Sequence, residues 1–110
     1  MRWLGNKAED QARRYLQRQG LRFVAANVQC RFGEIDLIMQ QQDILVFVEV
    51  KFRQRDDFGG ALAAITAGKQ QKLRRTAQWY LQQQGSLECP CRFDVVAITG
   101  ADIQWIENAF

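Results

Sequence analysis

The sequence predicts a single α/β domain over residues 1–110, with a central mixed β-sheet flanked by α-helices. Three observations indicate this class. Apolar residues recur at helical spacing in two segments, at about 5–19 and 65–84. Short apolar runs lie between and after these segments, as expected for strands. The composition, 47% hydrophobic and 25% charged, supplies enough apolar material for one core.

The first helix is predicted from about residue 5 to residue 19. Its apolar stripe contains four residues at helical spacing, Ala8, Ala12, Tyr15 and Leu16. Gly20 provides a natural end, because glycine is favoured just after helices. Glu9 lies at the edge of the stripe, and the pattern alone favours a boundary side chain that reaches water.

Three strands are predicted after this helix. The first lies within residues 21–32, with Asn27 near its end. The next two, at 33–39 and 44–51, are separated by the short polar segment 40–43, which favours an antiparallel hairpin.

The second half of the chain begins with a predicted loop, QRDDFGGALAAITAG, and a second helix over about 65–84. Basic residues crowd the first half of this helix, at Lys69, Lys72, Arg74 and Arg75. Gly85 ends it, and RFDVVAI, residues 92–98, is predicted to be a buried strand. A short final strand and a tail follow within residues 102–110.

The absence of histidine excludes several classes of site, namely His-based triads, Cys–His dyads and His-ligated zinc. Catalysis would have to use carboxylates, lysine, cysteine or a hydroxyl. A bound metal would be held mainly by oxygen, which favours Mg²⁺, Mn²⁺ or Ca²⁺.

The three cysteines are predicted to be free thiols. Their number is odd, and a disulfide between Cys89 and Cys91 would be strained. Free thiols are typical of a reducing compartment. The sequence also shows no signal-peptide pattern and no long apolar span, so a cytoplasmic protein without membrane contact is expected.

The charge balance is mildly basic. The net charge is +3, and eleven of the fifteen basic residues are arginine, which suits bidentate contacts with phosphate. This composition permits a nucleic-acid partner without requiring one.

The predicted hairpin carries an unusual set of charges. Side chains alternate between the two faces of a strand, so Val46, Val48 and Val50 share one face and Phe47, Glu49 and Lys51 share the other. In the preceding strand one face is predicted to hold Ile35, Leu37 and Met39, and the other face Glu34, Asp36 and Ile38.

The register of the hairpin depends on the length of its turn. A turn at 40–43 pairs Asp36 with Phe47, and a turn two residues longer pairs Asp36 with Glu49. Both registers place the acids and Lys51 on one face, whereas an odd-length turn would not.

Two interpretations of this charged face are possible. In the first, the face lies in water, where the charges are screened. In the second, a divalent cation lies among the acids and supplies the missing positive charge. The nearly continuous apolar run LVFVEV favours a strand buried on both faces, where unpaired acids are costly.

The motifs GNKAEDQARRYL, GEIDLI, VFVEVKFR, FGGAL, RFDVVAI and NAF, together with Lys69 ahead of a helix, resemble the YraN family. This bacterial family of uncharacterised predicted endonucleases is related to the PD-(D/E)XK superfamily and to Holliday-junction resolvases. The resemblance covers nearly the whole chain and implies a restriction-endonuclease-like fold. No proline precedes Asp36, a departure that many members of the superfamily share.

The resemblance also implies roles for individual residues. Asp36 and Glu49 would bind the metal, with the main-chain carbonyl of Val50 between them and Lys51. Lys51 would be the catalytic lysine. Glu9 would complete the metal site, which reverses the interpretation of Glu9 from the pattern alone.

Other positions would support this site. Glu34 would make a hydrogen bond or salt bridge nearby, and Arg53, Lys69 and Lys72 would contact phosphates. Asp94 occupies a motif position and is expected to be structural.

The leading hypothesis from the sequence is therefore a Mg²⁺- or Mn²⁺-dependent endonuclease that acts on structured DNA as a resolvase does. One alternative is a non-catalytic module that binds nucleic acid or a protein, and another is an RNA-processing nuclease of the same fold. By analogy with junction resolvases, a homodimer is possible.

Overall fold

The computed structural model of the protein describes the backbone of residues 3–53 and 65–110 and the side chains of 7–52 and 65–110. The α/β prediction is confirmed, and the predicted order of elements is observed. These elements are α1 (Trp3–Arg18), β1 (Arg22–Cys30), β2 (Gly33–Gln41), β3 (Ile44–Arg53), α2 (Ala67–Gln83), β4 (Cys91–Thr99) and β5 (Asp102–Ile106). The predicted loop falls largely on residues 54–64, outside the described part of the chain.

The five strands form one mixed sheet in the order β1-β2-β3-β4-β5. The β1–β2, β2–β3 and β4–β5 pairs are antiparallel, and β3 and β4 are parallel. A parallel pair needs a long connection, and α2 lies within the one between β3 and β4. The central strand β3 is therefore paired on both sides, and its residues 46–49 are all buried.

Two apolar clusters place one helix on each face of the sheet. The cluster on the α1 face contains Ala8, Ala12 and Leu16 of the helix and, from the sheet, Leu37, Met39, Val46, Val48, Val96 and Ile98. The cluster on the α2 face contains Leu73, Ala77 and Leu81 of the helix and, from the sheet, Ile35, Ile38, Phe47, Phe93, Val95 and Ala97. The alternation predicted for β3 is thus confirmed, with valines towards α1 and Phe47 towards α2.

The hairpin register differs from the one expected for a turn at 40–43. Gln41 pairs with Ile44, so the turn is the two residues Gln42 and Asp43. Gln42 adopts a positive φ of 55°, which allows the tight reversal. The turn has even length, and extending the register beyond the last pair, Leu37 with Val48, places Asp36 opposite Glu49.

Two other details of the strands correct the expectations. Asn27 lies within β1 rather than near its end, and its φ of 54° accommodates a local departure from regular strand geometry. Ile35 belongs to the α2 cluster, not to the face of Leu37 and Met39. The pairing of β2 with β3 ends at Leu37. The side chains at the start of β2 therefore need not alternate between the faces of the sheet in step with those of β3.

Asp94 joins β4 to β5 and to the residues after β5. It is completely buried, and its carboxylate accepts hydrogen bonds from Arg92 Nε at 3.0 Å, Trp105 Nε1 at 2.9 Å and the Asn108 backbone N–H at 2.9 Å. Arg92 also contacts Gln41 and Glu107. These contacts agree with the structural role expected for Asp94.

The three cysteines are free, as predicted. Burial raises the pKa of the Cys91 thiol, with a further contribution from Cys89. Within the described residues, neither helix has the length and apolar character needed to span a membrane.

Candidate active site

The candidate site lies where β2 and β3 separate. The two strands are paired as far as Leu37 and Val48. Beyond this pair the Val50 backbone N–H donates a hydrogen bond to Asp36 Oδ2, at 2.8 Å. A side-chain oxygen thus links the strands where the ladder ends, and the separation opens a cleft of about 520 Å³.

Eight of the nine predicted site residues line this cleft, namely Glu9, Glu34, Asp36, Glu49, Val50, Lys51, Lys69 and Lys72. The ninth, Arg53, ends β3, and its side chain lies outside the described part of the chain. Residues separated by up to 63 positions in the sequence, from Glu9 to Lys72, are therefore brought to one place.

Glu9 reaches the cleft from α1. Its neighbours Ala8 and Ala12 are small and are 3% and 0% exposed, so the helix packs closely on the sheet. Glu9 itself is 7% exposed. The boundary side chain in water that the pattern alone favoured is therefore wrong, and Glu9 is close enough for its charge to act on Asp36.

The first turns of α2 form the opposite wall. Thr66 caps the helix by accepting a hydrogen bond from the Lys69 backbone N–H, at 3.2 Å. Gly33, at the start of β2, permits a close approach, because a Cβ atom there would lie 3.3 Å from Thr76 Oγ1. This packing brings Lys69 and Lys72 to the edge of the cleft.

Two lysines contact one oxygen of Glu49. Lys69 Nζ lies 3.1 Å from Glu49 Oε2, and Lys51 Nζ lies 3.4 Å from the same atom. The Glu49 side chain is 8% exposed, whereas Lys51 is 20% exposed and Lys69 is 41% exposed. The buried acid is thus neutralised from two directions, by its own strand and by α2.

Asp36 is the acid of the cleft whose pKa is raised by its surroundings. Burial, followed by the charge of Glu49, raises the pKa of Asp36 from 3.8 to about 8, and Glu9 adds to the rise. The hydrogen bond from Val50 opposes it. The surroundings of Asp36 therefore favour its protonated, neutral form over the carboxylate.

The two lysines are perturbed in opposite directions. Burial, and then the proximity of Lys69, lowers the pKa of Lys51. The contact with Lys51 raises the pKa of Lys69. Because Lys69 is the more exposed of the two, it is the better place for a positive charge.

A family comparison identifies the chain. The model of the uncharacterised protein family UPF0102 matches residues 8–98. The chain belongs to the UPF0102 family. The resemblance to the YraN family is thereby confirmed.

Proteins from several bacteria are similar to this UPF0102 chain over nearly its whole length. A UPF0102 protein of Enterobacter sp. (strain 638) is 55% identical over 108 residues, which cover 96% of this chain and 82% of that protein. One from Shewanella frigidimarina is also 55% identical, over 96% of this chain and 97% of its own. One from Methylobacillus flagellatus is 51% identical, over 100% and 98% of the two chains.

The cleft of this UPF0102 protein is lined by oxygen atoms that a hard cation could use as ligands. Its candidate ligands are all oxygen atoms, from Glu9, Asp36, Glu49 and the Val50 carbonyl, as Mg²⁺ and Mn²⁺ prefer. Burial and the charge of Glu49 raise the pKa of Asp36, and a positive charge nearby would act in the opposite direction. In the present arrangement, no three His, Cys, Asp or Glu side chains within the described residues are grouped closely enough to hold a metal ion.

Two of the residues that were predicted to support the site make specific contacts in the structure. Glu34 accepts a hydrogen bond from Gln29 Nε2 of β1, at 3.3 Å. Lys69, which is predicted to contact phosphate, forms an ion pair with Glu49, and this contact was missed by sequence reasoning. The position of Lys69 in the first turn of a helix after the motif strand was visible, but its partner depends on how α2 packs.

Proposed function

We propose that this UPF0102 protein is a Mg²⁺- or Mn²⁺-dependent endonuclease that hydrolyses phosphodiester bonds in structured DNA. The observation that carries the proposal is the convergence of Glu9, Asp36, Glu49 and Lys51 in one cleft edged by lysines. Glu9 of α1, Asp36 of β2 and Glu49 of β3 line the same cleft, next to the point where the pairing of β2 with β3 ends.

Each residue has a chemical task in this proposal. Asp36, Glu49 and the Val50 carbonyl would hold the cation, and Glu9 would complete its surroundings. When bound, the cation would supply an activated water and stabilise the charge that develops on the phosphate. Lys51, which lies beside Glu49, would orient the attacking water and stabilise that charge.

The cations at the edge of the cleft would hold the DNA backbone. Lys72 is exposed and lines the cleft, so its ammonium group is available to a phosphate. The arginine-rich composition is consistent with a polyanionic partner.

The test is a cleavage screen of four-way junctions, flaps, duplex DNA, single-stranded DNA and RNA with Mg²⁺ or Mn²⁺. We expect Glu49→Gln to lower cleavage more than about 100-fold, because removing even an outer partner of a metal ligand costs about 10- to 100-fold. Glu88→Gln makes the same chemical change at an exposed position and serves as the matched control.

The outcomes separate the candidate functions. Undiminished cleavage by Glu49→Gln would contradict the mechanism. Cleavage of RNA alone would favour the RNA-processing nuclease. Salt-dependent binding with no metal-dependent products would favour the non-catalytic module.

A further inference from the structure

Lys69 has a contact that the proposed reaction does not require. Its ammonium nitrogen lies 3.1 Å from Glu49 Oε2, the same oxygen that Lys51 approaches at 3.4 Å. Lys51 is on the same strand as Glu49, so that ion pair lies within β3. Lys69 brings a second positive charge, from a different element, onto one carboxylate oxygen.

The two ammonium groups together carry the charge of one divalent cation. They contact the carboxylate that the proposed function assigns to metal binding. A cation that approaches Glu49 would therefore compete with the lysines for Oε2, since like charges repel strongly in a partly buried cleft.

Lys69 is the lysine that can leave more easily. Its side chain is 41% exposed, against 20% for Lys51. It extends from the first turn of α2 on a flexible four-carbon chain, and Lys72 lies one helical turn further along the same edge of the cleft. A phosphate at this edge would offer Lys69 an alternative anion.

We propose that Lys69 is a positioning residue that holds Glu49 in the metal-free protein and moves to a backbone phosphate when nucleic acid enters the cleft. This inference rests on the proposed function and adds to it a way in which the nucleic acid controls metal binding. Lys69 weakens metal binding in the free protein, and the substrate relieves this competition. Because coupling between two ligands is reciprocal, bound metal also strengthens the binding of nucleic acid.

The inference is tested with Mn²⁺ alone, titrated calorimetrically into wild type, Lys69→Met and Lys72→Met without nucleic acid. We expect Lys69→Met to bind Mn²⁺ at least about fivefold more tightly than wild type, the lower end of usual coupling factors. Lys72→Met removes the same charge from the same edge, so it controls for a general electrostatic effect. Its affinity should change less than about twofold.

Two further variants show whether the contact itself is responsible. Lys69→Gln should also bind Mn²⁺ more tightly, and Lys69→Arg, which retains the charge, should remain close to wild type. In cleavage assays Lys69→Met should raise the KM for DNA despite its tighter metal binding. A purely structural role for Lys69 would not produce this combination.

The possible results distinguish this inference from the proposed function. Equal Mn²⁺ affinities for wild type and Lys69→Met would overturn the inference and leave the metal site intact. Equal increases in Lys69→Met and Lys72→Met would also overturn it, in favour of general electrostatics. If no variant binds Mn²⁺, the proposed function fails, and the inference fails with it.

Discussion

At the scale of single residues, Asp36 combines a structural contact with an unfavourable charge. Its Oδ2 accepts the Val50 N–H, which links β2 to β3. Burial and Glu49 nevertheless raise its pKa to about 8, so the folded metal-free protein favours the protonated acid near neutral pH. In the unfolded chain the same carboxyl would ionise near its ordinary value of 3.8.

This difference predicts the pH dependence of stability. Between about pH 4 and pH 8 the folded state holds the Asp36 proton more tightly than the unfolded state, so the free energy of unfolding falls as the pH rises. One proton limits the slope to about 1.4 kcal/mol per pH unit. Urea unfolding in a chelator at several pH values measures it. Asp36→Asn should flatten the slope in this window, and an unchanged slope would contradict the assignment.

At the scale of elements, the two ends of the sheet differ in how their charges are balanced. Among the described side chains that line the cleft, acids outnumber the cations of β2 and β3, and α2 contributes Lys69 to Glu49. Around β4 and β5 the buried acid Asp94 accepts hydrogen bonds from several donors, Arg92 among them. The proposed function would add a cation to the cleft, whereas Asp94 already accepts hydrogen bonds from several donors of the chain itself.

Removing the carboxylate of Asp94 should therefore destabilise the fold. Asp94→Ala leaves the partly buried Arg92 without its main partner, and such a change costs about 3–5 kcal/mol. Chemical denaturation measures the loss, and the fluorescence of Trp105 should change with its lost hydrogen bond. The folded fraction should retain the Mn²⁺ affinity of wild type. A loss below about 1 kcal/mol would show that Asp94 is dispensable to the fold.

At the scale of the whole molecule, a net charge of +3 and a cleft edged by lysines suit a polyanion. Affinity for nucleic acid should fall as the salt concentration rises, because each neutralised phosphate releases a counterion. This expectation concerns binding alone and applies whether or not the cleft cleaves its ligand.

The salt dependence can be assigned to a residue. Lys72→Met should reduce the slope of log affinity against log salt by about one unit. Arg18→Met is a suitable control, because Arg18 ends α1 roughly 13 Å along the helix from Glu9. Fluorescence anisotropy at four salt concentrations measures both slopes. Equal effects of the two variants would indicate diffuse binding rather than binding at the cleft.

Much of the fold was predictable because its signals are local. The helical spacing of Ala8, Ala12 and Leu16 and the alternation around Val48 depend on near neighbours in the sequence. The length of the hairpin turn was not predictable, since nothing in its polar residues revealed that Gln42 adopts a positive φ. The length of the turn therefore depends on a backbone conformation that the sequence pattern does not encode.

The sequence pointed to the acids that line the cleft, but not to the contacts that they make there. Alternation predicted that Asp36 and Glu49 share a face, although Ile35 departs from that alternation at the start of β2, and the family resemblance added Glu9. The contact of Lys69 with Glu49 joins α2 to β3 across residues 54–64, so it depends on long-range packing that no local pattern encodes. The burial of Glu9 likewise depends on how closely α1 approaches the sheet.

The hydrogen bond between Val50 and Asp36 also bears on which cation would suit the cleft. Oδ2 of Asp36 is already engaged by the backbone N–H, so Oδ1 remains the more available oxygen for a cation. In the proposed metal site this hydrogen bond would favour monodentate over bidentate ligation by Asp36. Ca²⁺ readily accepts bidentate carboxylates and high coordination numbers, whereas Mg²⁺ takes single oxygens and keeps several waters. The strand separation would thereby select for a small, well-hydrated cation.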